Sequence, residues 1–475
     1  MIRKEVLESI LSFKFILVLT ITVALTFLSI ERGLNEYRAQ VKAHGNVVQL
    51  NRDQLERSTN WHQVGDGGIF VSGVPSSLAV FATGILGIEG QVARIRDRDV
   101  PIIERGRLAT HSYMLFGSWD FHFIVKIILS LVALLFAYDA VSGEKEIGTL
   151  RLLLSNPLPR SRLILGKALG RYLPLLAAFA FAFILSVIFL FLQRDIAFTA
   201  SDQLGILLIF LGSCVYLGVW FTAGLMASCL TNQSLVSLLF SLFIWVVMIF
   251  AIPKASVSVA SFLHPVPRPA EFEAKKAALA KDMYTKLRLS EEEPQRRWMK
   301  RPPGHVPVEE LYRRQMEFER EIGRLRQLNE AEHAEKLYRL YEQYLNAQRA
   351  LDRTASRFSR LSPSGCYDYF ITGLAGTGPH DADFFLDQLI EYQKKFSSFI
   401  SDMKRNQEII YVVYVEEDPF KYTRPDLSKI PPFDYKARPL RERWISAIVD
   451  FGLLCLYGSV LFAAAYLSFL KYDPR

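Results

Sequence analysis

The sequence predicts an α-helical polytopic membrane protein. Six transmembrane helices carry a mainly helical extracytoplasmic domain, α with some β, built from two insertions. Three observations lead there. Apolar residues make up 51% of the 475-residue chain and gather in runs near the roughly 20 residues that cross a bilayer's hydrocarbon. Charge gathers between those runs. Two of the gaps, 31–120 and 253–443, are far too long to be turns.

At the start, Ile2, Val6, Leu7, Ile10 and Leu11 recur at helical spacing, with Arg3, Lys4, Glu5 and Glu8 on other faces. Residues 1–12 are therefore expected to form an amphipathic helix on the cytoplasmic membrane surface. The rival reading makes them the lower end of a long first span. That span covers 13–30. It ends in Ile30-Glu31-Arg32-Gly33, with no small-x-small cleavage site, so it reads as an uncleaved anchor with its N-terminus inside.

The first insertion, 31–120, begins with a helical stretch, 31–57, that continues the span. G-D-G-G-I-F-V-S-G-V-P follows as turn and strand. Residues 79–86 form a short apolar helix or strand. Arg94, Arg96 and Arg98 then alternate with Asp97 and Asp99, which reads as a solvated face.

Spans two to five are expected at 121–138, 172–192, 204–230 and 235–252. Lys126 lies one turn inside the second and is expected to snorkel outward. Gly212, Gly218 and Gly224 in the fourth permit close helix packing.

The second insertion, 253–443, has a helical pattern from 309 to 353. Its two apolar stripes are out of phase, so a break or hairpin is expected near 328–333. Residues 361–363 end that helix, 370–378 read as a Gly-rich loop, 381–405 as a helix, and 409–415 as a strand. A Pro-rich return, 419–439, leads to the sixth span, 445–470, and a basic tail, 471–475.

The segment 139–171 decides the topology. Lys145, Arg151, Arg160, Arg162, Lys167 and Arg171 lie in it, and short loops rich in Lys and Arg stay in the cytoplasm. Both termini then face the cytoplasm of a bacterial inner membrane, and both insertions face outward. The plain reading of the segment is a basic loop that merely orients the protein.

Its order of residues suggests more. E-K-E-x-G-T-L, then S-x-P-x-x-R, then G-K resembles the cytoplasmic loop of type-2 ABC transporter permeases. G-V-P-S-S-L-A-V-F-A-T-G in the first insertion resembles the branch of that family with large external domains. The resemblance covers most of the six-span plan. It implies an exporter's permease, working with a second copy of itself or a similar permease and with a separate ABC ATPase subunit that binds ATP and Mg. It also assigns the loop an ATPase-coupling role.

In that role, Gly143 and Gly148 allow sharp turns. Glu144 and Glu146 pair with a basic partner or anchor the next helix start. Thr149 begins a docking helix in which Leu150, Leu152, Leu153 and Leu154 are the apolar contacts. Pro157 ends it. Arg160, Arg162 and Lys167 hold lipid headgroups or acidic ATPase residues.

Other chemistry is excluded by motif. No G-x-x-x-x-G-K-[ST] phosphate loop occurs, so the chain is expected to be no enzyme by itself. No H-E-x-x-H occurs, and eight scattered histidines suggest no metal site and no cofactor in this chain. Cys214, Cys229, Cys366 and Cys455 offer no disulfide framework. The formal charge of +8 comes without a nucleic-acid motif. A lipid bilayer and an extracytoplasmic protein complete the expected partners. A second reading makes the chain a mechanotransmitter that moves its external domain to regulate an envelope partner, with nothing transported.

Overall fold

The computed structural model describes residues 2–58, 60–89, 91–104, 119–154, 159–300, 307–406 and 425–472. Among them, six helices are long and apolar enough to cross a membrane: Phe13–Glu56, Phe121–Ile147, Arg160–Phe191, Ala200–Leu230, Ser234–Leu263 and Leu440–Leu470. They follow the sequence's six runs, because a span satisfies its backbone polar groups internally. A separate helix, Ile2–Ile10, precedes them and packs on the third span. Ser12 caps the first span by accepting from the Phe15 backbone N–H at 3.2 Å.

The first span's helix has 44 residues, about 66 Å at 1.5 Å per residue. Twice the hydrocarbon thickness, it leaves the bundle as a stalk. The fourth and sixth spans pack closely, and the glycines of the fourth make room for neighbours. A Cβ at Gly212 would strike the Phe370 ring, and one at Gly224 would lie 2.8 Å from the Leu134 carbonyl oxygen.

Both insertions build one domain. Strands β1 (Ile69–Ser72), β2 (Val92–Ile95) and β3 (Ile102–Glu104) form an antiparallel sheet in the order β1-β2-β3, with Ile69 opposite Ile95. Helix Pro379–Asn406 of the second insertion lays Phe385, Leu389 and Phe396 against Ile69, Val71 and Ile95 of the first. A hairpin of two long helices, Pro269–Met299 and Val308–Ser359, rises beside them.

Four expectations need correction. No break occurs at 328–333, since Val308–Ser359 is one continuous helix. The stripe changes phase because the partner changes: Phe318 stacks on Trp298 of the hairpin, whereas Leu337, Tyr341 and Leu345 pack around Val100.

Residues 370–378 are mostly helix. Pro363–Ala375 starts with the Ser362 cap and Pro363, and ends at Gly376 with φ 72°. The helix wedges between the fourth and sixth spans. Tyr367 stacks on Tyr216 at 4.2 Å and bonds Ser213 at 2.8 Å.

Lys126 does not snorkel. Its Nζ lies 2.7 Å from Asp368 of that wedge, and His122 bonds the same carboxylate at 2.7 Å. The charged run at 94–99 is not solvated either. Asp97 has a 3% exposed side chain and holds Lys404 at 2.8 Å, and Asp99 holds Lys276 at 2.8 Å. The other expectations place less: 79–86 holds a 3-10 turn, Ser77–Val80, and the start of a helix, Gly84–Glu89. The strand expected at 409–415 lies outside the described residues.

Candidate functional site

The candidate site is the end of the bundle opposite the two insertions. There the second span turns at 138–141 and continues as a short helix, Ser142–Ile147. The turn is held from inside. The N–H groups of Val141 and Ser142 both donate to the Ser228 hydroxyl of the fourth span at 2.9 Å. Gly148 then takes φ 84°, with nothing within 4 Å of a built Cβ. A left-handed residue there lets the chain reverse into a second short helix, Thr149–Leu154. Residues 155–158, Pro157 among them, lie outside the described residues. Pro159 precedes the third span, which begins at Arg160.

The charged side chains of this loop point mostly into the protein. Lys167 has no exposed side-chain surface; its ammonium bonds Glu144 and lies 3.6 Å from Glu5 of the N-terminal helix. Lys145 donates to the carbonyl oxygens of Cys229 at 2.5 Å and Thr231 at 2.9 Å, and sits 4.8 Å over the Tyr472 ring. Glu146 accepts from the first N–H of the fifth span, Ser234, at 3.0 Å. Arg160 donates to the Leu470 and Tyr472 carbonyls at 2.8 and 2.9 Å, closing the end of the sixth span. Asp139 pairs with Arg171 and lies 3.5 Å from Lys14.

These contacts correct the sequence reading of individual residues. Lys167 and its partner Glu144 serve neighbouring spans rather than headgroups or an outside protein, because burial makes an unpaired charge costly, and the half-buried Arg160 spends donors on the end of the sixth span. Leu150 is fully buried, and Leu153 is half-buried against the bundle core. Neither forms an open apolar face. Glu146, Ile147, Gly148, Thr149 and Arg162 remain exposed, while Gly143 is half-buried. Ile147 is 78% exposed at the tip.

Sequence reasoning missed Ile147, Lys145, Ser228 and the Asp368 partner of Lys126. One signal was available for the last. A lysine one turn inside an apolar span asks for a counter-charge, and Asp368 follows a capped Ser362-Pro363 helix start. Among the described residues no cluster of His, Cys, Asp or Glu could hold a metal ion.

Six apolar helices, joined at one end by a knitted polar turn, define a multi-pass integral membrane protein. The chain belongs to the ABC-2 family transporter proteins, whose family model matches residues 1–474. It is 34% identical over 151 residues to a probable ABC transporter permease protein NosY from Pseudomonas aeruginosa, a match covering 30% of this chain and 54% of the relative. It is 47% identical over 60 residues to the protein of the same name from Stutzerimonas stutzeri, covering 13% of this chain and 22% of that one. The chain thus spans about half the length of the first relative and less of the second.

Proposed function

We propose that this chain is the membrane permease of an ATP-driven exporter. Two copies, or one copy and a similar chain, work with separate ABC ATPase subunits that bind ATP and Mg. The loop lies in the cytoplasm, the insertions lie outside, and the bilayer is the bacterial inner membrane. Family membership and the relatives' permease names support this reading.

The observation that carries the coupling claim is the exposed tip Ile147-Gly148-Thr149. An apolar side chain stands 78% exposed at a polar turn, on a backbone tied through Glu144, Lys145 and Glu146 to the third, fourth and fifth spans, the third being tied in turn to the sixth by Arg160. An ATPase pressing on that tip moves those four spans together. Glu146, exposed beside it, sets the charge of the contact, and the exposed Arg162 in the first turn of the third span offers a second charged group.

The rival reading, a mechanotransmitter that regulates an envelope partner, draws on a different feature. Helix Pro363–Ala375 fills the insertion end of the bundle and joins the sixth span to the external domain. Arg443 of that span bonds Ser76 at 3.1 Å, and Arg438 lies 3.6 Å from Asp381.

One experiment separates these readings. The chain is purified from native membranes in mild detergent, the nucleotide-binding subunit that accompanies it is identified, and the complex is reconstituted in vesicles. ATP-dependent movement of an apolar dye out of the compartment that contains the ATPase face supports export. Hydrolysis without movement, together with an accompanying envelope protein, supports the transmitter. Absence of any ATPase overturns both.

A further inference from the structure

A cavity of about 180 Å3 opens where the N-terminal helix, the foot of the first span and the loop-side ends of the second and third spans meet. It has room for about six waters at their share of liquid volume. Its polar wall offers the donors Ser9, Lys14 and Arg171 and the carboxylates of Glu5 and Asp139. Its other wall is Leu135 and Phe136, and Leu135 is 38% exposed.

The cavity's height in the bilayer follows from its neighbours. Leu11 and Phe13, exposed by 80% and 79%, flank the lining residue Ser12 in the chain, where the apolar surface of the first span begins. A cavity at that level is polar inward and apolar toward the lipid.

The charges inside are unequal in their freedom. Arg171 and Asp139 are paired. Lys14 lies 3.5 Å from Asp139, and its side chain is 72% exposed. An ammonium has three donors, so Lys14 keeps donors for a second anion.

We propose that this cavity binds the headgroup of an amine-bearing phospholipid. The phosphate meets Lys14 and the Ser9 hydroxyl, with Arg171 behind them. The lipid's ammonium faces Glu5 and Asp139, and its chains run along Leu135 and Phe136. The wall's two cations and two carboxylates sum to zero, a balance that a zwitterion keeps and that an anionic headgroup would leave with one negative charge in excess. Glu5 also approaches Lys167, so the lipid sits against the ion network of the loop. This site rests only on the chain's being a membrane protein and stands apart from the export reading.

Native mass spectrometry of the full chain in detergent tests it, with dioleoyl phosphatidylethanolamine, dioleoyl phosphatidylglycerol and inorganic phosphate added separately. The expected result is one retained phosphatidylethanolamine, with weaker retention of phosphatidylglycerol. Lys14→Ala and Ser9→Ala each lower that retention, the lysine change by about tenfold, as the loss of a charged hydrogen bond implies. Lys14→Arg keeps it. Lys14 is exposed, so these variants melt with the wild type. Equal retention of the two lipids, displacement of the lipid by inorganic phosphate, or retention unchanged in Lys14→Ala overturns the proposal.

Discussion

The loop end of the bundle and the helical hairpin of the second insertion are both rich in charge, yet they use it differently. In the hairpin, Lys286 and Lys336 share Glu332 at 2.9 and 2.7 Å, with all three side chains more than 40% exposed. In the loop, Lys167 is fully enclosed between Glu144 and Glu5. Exposed pairs contribute little, because water competes and side-chain entropy opposes them. An enclosed pair is a commitment: removing one partner strands the other in low dielectric. The hairpin's charged residues therefore tolerate change, and the enclosed charges of the loop do not.

The largest effect separating the two regions belongs to Lys167. Lys167→Met leaves Glu144 and Glu5 without their cation and is expected to destabilise the chain by about 3–5 kcal/mol. Thermal melting in detergent reads this. Adding Glu144→Gln should recover part of the loss, and a melting temperature equal to wild type in the single variant would show that the pair is not enclosed.

Next comes the wedge. Gly212→Val would drive two methyl groups into the Phe370 ring, an overpacking expected to cost about 1–3 kcal/mol. Combining it with Phe370→Ala should be milder than the sum of the two changes. Strict additivity would mean that the wedge does not rest on Gly212.

The Lys126–Asp368 pair lies between the two extremes, with side chains 19% and 25% exposed. A double-mutant cycle of Lys126→Met and Asp368→Asn is expected to show coupling of about 0.5–3 kcal/mol. His122 shares the carboxylate, so His122→Ala should reduce the coupling. Zero coupling would place Lys126 back in the lipid headgroups.

The smallest effect is in the hairpin. Hydrogen bonds from Lys336 and Lys286, with their charges, hold the Glu332 carboxyl down at about 2. A depressed carboxylate stabilises above its ordinary value of 4.5 and loses that contribution as pH falls through about 2. The exposure of all three side chains to solvent screens the contribution. Glu332→Gln should therefore shift the melting temperature barely at pH 7 and not at all near pH 2. A shift as large as that of Lys167→Met would contradict the comparison.

Much of the fold was legible because hydrocarbon is a demanding solvent. Each of the six apolar runs falls on a long helix, the third running one residue past its end, and the mixed composition of 31–57 does continue the first span as its stalk. What escaped was tertiary. A phase shift in the stripes looked like a break because periodicity does not reveal that one helix changes partners along its length. The wedge escaped because its glycines suggested a loop, although Ser362-Pro363 and Gly376 bracket a helix. In the candidate site, the motif marked the segment 139–171 but not the directions of its side chains. Glu144 and Lys167 look alike as surface and buried residues in sequence. Only their closure upon each other, through a Gly148 turn that lifts Ile147 outward, distinguishes them.

The account's central claim is that the loop's inward residues hold the spans while its tip meets a separate ATPase. Ile147→Asp tests it most directly. The side chain is 78% exposed, so the variant should reach the membrane at wild-type level with an unchanged melting temperature. The measurement is the amount of ATPase subunit that copurifies per permease in mild detergent. The account predicts a loss of about tenfold or more, the effect of placing a charge in an apolar contact. Full retention of the ATPase by Ile147→Asp would contradict it.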